Sequence, residues 1–248
     1  MEKMKLVFFL GGYDAEMYEI RKILEQCQQA FYVKHLSWGA KLSSYENELN
    51  SLSKNEIPVF IELELDIKYP QQSIVIDHHD LDSGKKKPSA IEQVAKLLNV
   101  KLDRWQKLIA ANDVAWIDGL NKAGASENEI RKIRSYDRKC QGISEEAELE
   151  TQEAIKKMKV YESLAIVEIP HSHASAVFDR LYNQFVNILV FSPNETNFSG
   201  RGDVIKFLSK KFPKSWYGGN LPEKRFWGIE GKKFRIKNIL ISYLKEVE

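Results

Sequence analysis

The stretch SIVIDHHD, residues 73–80, decides the reading of the chain. Three β-branched apolar residues, Ile74, Val75 and Ile76, form a short buried strand, and the run turns abruptly into Asp77-His78-His79. Other apolar runs end the same way. KLVFFL (Lys5–Leu10) closes on Gly11-Gly12-Tyr13-Asp14, and PVFIEL, from Pro58, closes on Glu62, Glu64 and Asp66. Between them, Met17, Ile20, Ile23 or Leu24, and Cys27 recur at helical spacing from Asp14 to about Gln29. FYVKHL gives a further strand, and a polar amphipathic helix is expected from about Ser43 to Leu52. Strands alternating with helices predict an α/β fold with a parallel sheet and helices on both faces. In such sheets ligands lie beyond the carboxyl ends of the strands, so the strand-end residues converge on one crevice. A cluster of carboxylates repels itself unless something positive lies among them, and a divalent metal is the simplest candidate.

The rest of the composition excludes several classes. The chain has 248 residues with 43% hydrophobic and 29% charged side chains, typical of a globular protein rather than a disordered one. Lys plus Arg total 37 against 35 Asp plus Glu, so no global basic field advertises nucleic acid. The apolar runs fall far short of the roughly 20 residues that span a bilayer, and no membrane partner is expected. Cys27 and Cys140 form no Cys-x-x-Cys pair, which excludes a disulfide framework and a thiolate zinc site and points to a reducing cytoplasm.

From about Ser89 to Val160 the pattern is mostly helical, and its later part carries dense mixed charge, the composition of a solvated face or connector. After Val160 strands return: LAIVEI and NILVFS are strands, ASAVFDRLY and DVIKFLSKKF helices, SWYGGNLPEKRFWGIEG a Gly- and aromatic-rich loop, and NILISYLKEV a last helix. The expected organisation is a domain over 1–125, a helical connector over 126–162 and a smaller α/β domain over 163–248. Lys210, Lys211, Lys214, Lys224, Arg225, Lys232, Lys233, Arg235 and Lys237, interleaved with Trp216, Tyr217, Phe226, Trp227 and Phe234, have the composition of a single-strand nucleic-acid surface, or of an ordinary solvated face. His171 and His173 precede a helix, as phosphate or metal contacts or as capping polarity.

On Asp77-His78-His79 the sequence resembles the DHH phosphoesterases, which pair an N-terminal α/β domain bearing four acidic motifs with a smaller C-terminal domain containing a glycine-rich loop. The resemblance implies hydrolysis of phosphodiester or phosphoanhydride bonds, usually with two manganese ions. Asp14 matches the second Asp of the first motif, while Gly12 stands in place of its first Asp and Phe8 near its His. Glu62 matches the second motif, with Glu64 and Asp66 as alternatives, and Asp113 in AANDVAW matches the fourth. The resemblance thus implies a metal set of Asp14, Glu62, Asp77, His78 and Asp113, for one or two Mn2+ ions with Mg2+ admitted. Asp77, His78 and His79 are the expected catalytic residues, and Glu16 is expected to contribute only if the chain there is not yet helical. Lys41, His79, Arg201, Gly218 and Gly219 are the expected substrate contacts, with Arg201 and the Gly-Gly pair in the order of the family's C-terminal domain. The expected substrate is a nucleotide or single-stranded oligonucleotide held between the domains, the oligomeric state being open, a homodimer included. The alternative is a catalytically inactive nucleic-acid or nucleotide-binding protein on the same fold.

Overall fold

The computed structural model describes residues 4–37, 39–78, 87–218 and 224–247. The chain divides into two compact units, Met1–Gln141 and Gly142–Glu248.

The first unit runs β1 (Lys5–Leu10), α1 (Ala15–Gln26), β2 (Ala30–Val33), a 3-10 turn (Leu42–Tyr45), α2 (Glu46–Asn50), β3 (Glu56–Ile61), β4 (Ile74–Ile76), α3 (Ala90–Leu97), α4 (Arg104–Lys122) and α5 (Glu127–Cys140). The sheet order is β2-β1-β3-β4, and every pairing is parallel. The continuous apolar strands follow from this, because both faces are covered. Phe8, Leu10, Val59 and Ile61 pack with Ile20, Ile23 and Leu24 of α1 and Ile91 and Val94 of α3. Val7, Phe9 and Phe60 pack on the other face with Leu42, Tyr45 and Leu49. Alternation along β1 feeds the two cores in turn. Each fully buried large apolar side chain contributes roughly 1.5–3 kcal/mol.

The register sets the functional edge. Leu10 pairs with Ile61, and Ile61 with Ile76. The ladder continues one step further, Gly11 N–H donating to Ile61 O and Glu62 N–H to Ile76 O, each at 2.9 Å. Gly11, Glu62 and Asp77 therefore stand at equivalent positions just beyond three neighbouring strands. Gly11 is required there: a Cβ would lie 2.2 Å from the Glu62 carbonyl oxygen.

The second unit runs α6 (Glu145–Lys156), β5 (Lys159–Tyr161), β6 (Leu164–Glu168), α7 (Ser175–Leu181), β7 (Asn187–Phe191), β8 (Glu195–Arg201), α8 (Gly202–Lys211), β9 (Trp216–Gly218), β10 (Lys224–Glu230) and α9 (Arg235–Val247). Its sheet has the order β5-β6-β7-β8-β10-β9, with β6 and β7 parallel and the other pairs antiparallel. The segment expected as a loop after α8 contains two of these strands. Trp227 of β10 pairs with Phe198 of β8 and is fully buried, so a strand is hidden in Gly- and Pro-rich sequence. The stretch 126–162 is shared out, α5 belonging to the first unit and α6 and β5 to the second.

Candidate metal centre

Three elements of the first unit deliver the polar residues at the strand ends. Glu62 follows β3 directly and adopts a left-handed backbone with φ +51°. His78 lies two residues beyond β4, and Asp113 lies in α4 just before that helix breaks, where Ala115 and Trp116 leave helical geometry. Glu16 joins them from the first turn of α1. One donor atom from each of Glu16, Glu62, His78 and Asp113 lies within 4.8 Å of every other.

The ring of His78 stands between two acids. Nδ1 is 3.0 Å from Glu62 Oε1, and Nε2 is 3.0 Å from Asp113 Oδ2. Burial alone would lower the imidazole value, but the two carboxylates outweigh it and push it up to about 10. The protonated ring thus supplies positive charge to the metal-free cluster. Glu16 is fully buried, its Oε1 accepts the Ile91 N–H at 3.1 Å, and its Oε2 is buried with no hydrogen-bond partner. Burial first, then the charges of Asp113 and Glu62, raise its carboxyl well above the usual range.

Asp14 also caps a helix. It is the N-cap of α1, and its Oδ1 accepts the Met17 N–H at 2.9 Å. Burial and the charges of Asp113, Glu62 and Asp137 push its carboxyl up to about 7, against the Met17 hydrogen bond, which lowers it. It neighbours the four clustered residues without being one of them. Glu16 takes part although it is helical, contrary to the condition the sequence suggested. Side chains in a helix lean toward its N-terminus, so one in the first turn reaches past the helix end.

The remaining sequence-expected residues are spread more widely. Among the alternatives to Glu62, Glu64 is exposed with Lys41 Nζ at 3.9 Å, and Asp66 accepts from Ser43 N–H at 2.9 Å and Ser43 Oγ at 2.6 Å. Asp77 is half-buried, and its carbonyl oxygen lies 3.4 Å from Gln93 Nε2. Lys41 is exposed. His79 and Gly219 lie outside the described residues. In the second unit Arg201 forms a bidentate pair with Asp203, at 3.0 and 2.7 Å, and Gly218 ends β9. His171 Nε2 lies 3.0 Å from Thr151 Oγ1, and the His173 N–H donates to His171 Nδ1 at 3.2 Å.

The class these features define is an α/β protein whose parallel sheet presents a buried carboxylate–imidazole cluster at its C-terminal edge. No protein-family model matches the sequence, and no curated protein matches it. Solved structures do match. The pGpG-specific phosphodiesterase PggH from Vibrio cholerae aligns at 12% identity with a TM-score of 0.51, over 98% of this chain and 99% of that one. The DHH domain of a member of a family of ribosomal proteins aligns at 12% identity with a TM-score of 0.53, over 98% of this chain and 86% of that one. The chain has the DHH-type fold.

Proposed function

We propose that the protein is a divalent-metal-dependent phosphoesterase that hydrolyses a phosphodiester or phosphoanhydride bond in a nucleotide or short oligonucleotide. The observation that carries this reading is the convergence of Glu16, Glu62, His78 and Asp113 at the strand ends. Buried, mutually repelling acids cost stability unless a cation joins them. The partnerless buried Oε2 of Glu16 is an oxygen such a cation would satisfy. Three carboxylates with one imidazole suit Mn2+ best, with Mg2+ the harder alternative. The four residues would hold one ion; Phe8 is fully buried in the core and Gly12 has no side chain, so neither offers a donor for a second.

When bound, the ion supplies Lewis-acid activation of the phosphoryl group and of the attacking water. His78 gives up its proton to become a ligand, and Asp77 positions His78 or completes the shell. His79 hydrogen-bonds the phosphate or hands a proton to the leaving oxygen. Lys41 in the first unit, and Arg201 with the Gly218-Gly219 backbone in the second, offer donors of the kind substrate phosphates take.

Titration of metal-stripped protein with manganese, with ions counted per chain, tests the reading alongside assays on bis-p-nitrophenyl phosphate and a short labelled RNA. His78→Ala is expected to lose both metal and turnover while keeping its circular dichroism. Turnover retained in that variant sinks the assignment. The missing donors at Phe8 and Gly12, with Trp216 and Tyr217 exposed on β9, favour one second reading: a non-catalytic binder of single-stranded nucleic acid. That reading predicts RNA retention without manganese, weakened when Lys232, Lys233 and Arg235 are neutralised.

A further inference from the structure

Helix α5 reads as a solvated, mixed-charge helix, yet Arg134, Asp137 and Arg138 are buried. A buried ion pair is on average no more stabilising than apolar side chains of the same volume, so packing does not explain this one. Both oxygens of Asp137 are engaged. Oδ1 accepts the Ala15 N–H at 3.1 Å, the first N–H of α1, while Oδ2 accepts from Arg134 Nη1 at 2.7 Å and Gln141 Nε2 at 3.0 Å. Arg134 Nη1 also reaches Asn112 Oδ1 at 2.8 Å, and the guanidinium carbon lies 5.9 Å from the centre of the Trp116 ring.

The ends of this chain of contacts are informative. Ala15 immediately precedes Glu16, and Asn112 immediately precedes Asp113. Trp116 sits in the break of α4 that follows Asp113. We propose that Arg134 and Asp137 are positioning residues that fix the span between the α1 donor, Glu16, and the α4 donor, Asp113. The inference rests on the metal-centre reading above and deepens it. Glu16 and Asp113 repel each other, so the helices that carry them need a tie that holds without the ion. A planar guanidinium whose Nη1 donates to both Asn112 and Asp137, and a carboxylate whose other oxygen takes the Ala15 N–H, provide directional ties to both helices at once. Docking of α5 has a separate cause: Ile133 and Cys140 pack with Ala15, Leu108, Ile109 and Leu120. The pair is therefore removable without undocking the helix.

The test uses the full chain, with Arg134→Met, Asp137→Leu and the double variant. Melting temperature, manganese affinity by calorimetry and the visible spectrum at saturating Co2+ are measured for each. Each single variant is expected to melt lower, because it strands a buried charge. The double variant is expected to recover most of that melting temperature, to bind manganese about 10–100-fold more weakly, and to show an altered cobalt spectrum. A double variant with native affinity and a native spectrum overturns the inference. Should the double variant not fold, Arg134→Lys keeps a charge facing Asp137 but lacks the rigid planar group that aims Nη1 at Asn112 and Asp137 together. It is expected to weaken manganese binding several-fold at near-native melting temperature, and native affinity there overturns the inference equally. Wild-type protein that binds no manganese removes the metal-centre reading and this inference with it; wild-type binding with insensitive variants removes the inference alone.

Discussion

Replacing Glu16 by Gln separates a stability effect from a metal effect of opposite sign. Glu16 is fully buried, and its donor atom lies within 4.8 Å of those of Glu62, Asp113 and His78. In the ionised, metal-free cluster it meets two like charges and one imidazolium. Neutralising it removes two repulsions and one attraction, a net relief of one charge pair. At 4.8 Å and an effective dielectric constant of about 20, one pair is worth about 3 kcal/mol. The amide keeps an oxygen for the Ile91 N–H and gains a donor toward the neighbouring acids. The metal-free variant should therefore melt higher at pH 8–9, by about 6–12 °C at roughly 2–4 °C per kcal/mol. Folded-state burial raises the Glu16 value above that of the unfolded chain, so its destabilisation grows as pH rises through the carboxylate range and beyond. The gain in the variant should grow in the same direction and vanish near pH 4. Manganese affinity should fall about tenfold or more, as an anionic donor becomes a neutral one. Scanning calorimetry with and without manganese reads both effects. A metal-free variant that melts lower at pH 8, or one that binds manganese like the wild type, refutes the reasoning.

Three further outcomes follow from the same geometry. Manganese affinity should rise between pH 6 and 9, because His78 holds its proton up to about 10 and Asp14 up to about 7, so binding must displace protons. Calorimetry in buffers of different ionisation heat counts them, and a pH-independent affinity would exclude His78 as a ligand. Without metal, Asp14 costs stability as pH rises from about 4 to 7, and His78 loses its contribution from about 6.5 to 10, so the melting temperature should decline steadily over that range. Gly11→Ala places a Cβ 2.2 Å from the Glu62 carbonyl oxygen, backbone that cannot move aside cheaply. It should lower both stability and manganese affinity, whereas Gly124→Ala, with open space around its Cβ, should lower stability alone through its left-handed φ of +69°.

The parts legible in the sequence were those where one physical cause dominates. KLVFFL, PVFIEL and SIVIDHH are buried on both faces, so their apolar runs stand out, and the acids and His that end them mark the carboxyl edge. Glu62 and His78 come together as that rule implies, and Asp113, indicated only by the family resemblance, joins them from α4. Asp14 and Glu16 were harder to separate. An Asp before a helix is both a good N-cap and a good ligand, and only the structure shows its oxygen committed to Met17. Glu16 lies one residue into a helix, which argues against a strand-end role by pattern alone, yet the lean of helical side chains carries it over the helix end. β8, with Thr196, Asn197 and Ser199 buried, hid behind polar composition, and β10 hid behind its flanking glycines and proline. Arg134 and Asp137 are spaced i, i+3 among many charges, and that spacing equally describes a solvated pair.

Backbone strain falls on the same positions as the charge. Of the non-glycine described residues with positive φ, Gln28, Asn99 and Asn183 follow the ends of α1, α3 and α7, where a left-handed residue is ordinary, His35 lies just beyond β2 outside the cluster, and Glu162 turns the chain between β5 and β6. Glu62 and Trp116 have no such excuse: one directly follows a buried strand, and the other interrupts a helix with φ 51° and ψ −139°. Conformations of this kind cost about 1–3 kcal/mol each and persist where the surroundings over-determine them. Glu62 is itself one of the four clustered residues, and Trp116 lies three residues beyond another, under the guanidinium of Arg134. Relief would be simple at either place, since a glycine at 62 or a regular turn at 115–116 removes the strain, but each relief displaces a donor. Repelling acids, a partnerless carboxylate oxygen and two strained backbones at one sheet edge lower the stability of the metal-free fold together. A cation bound as proposed would offset the first two directly, and the third would hold its donors in place.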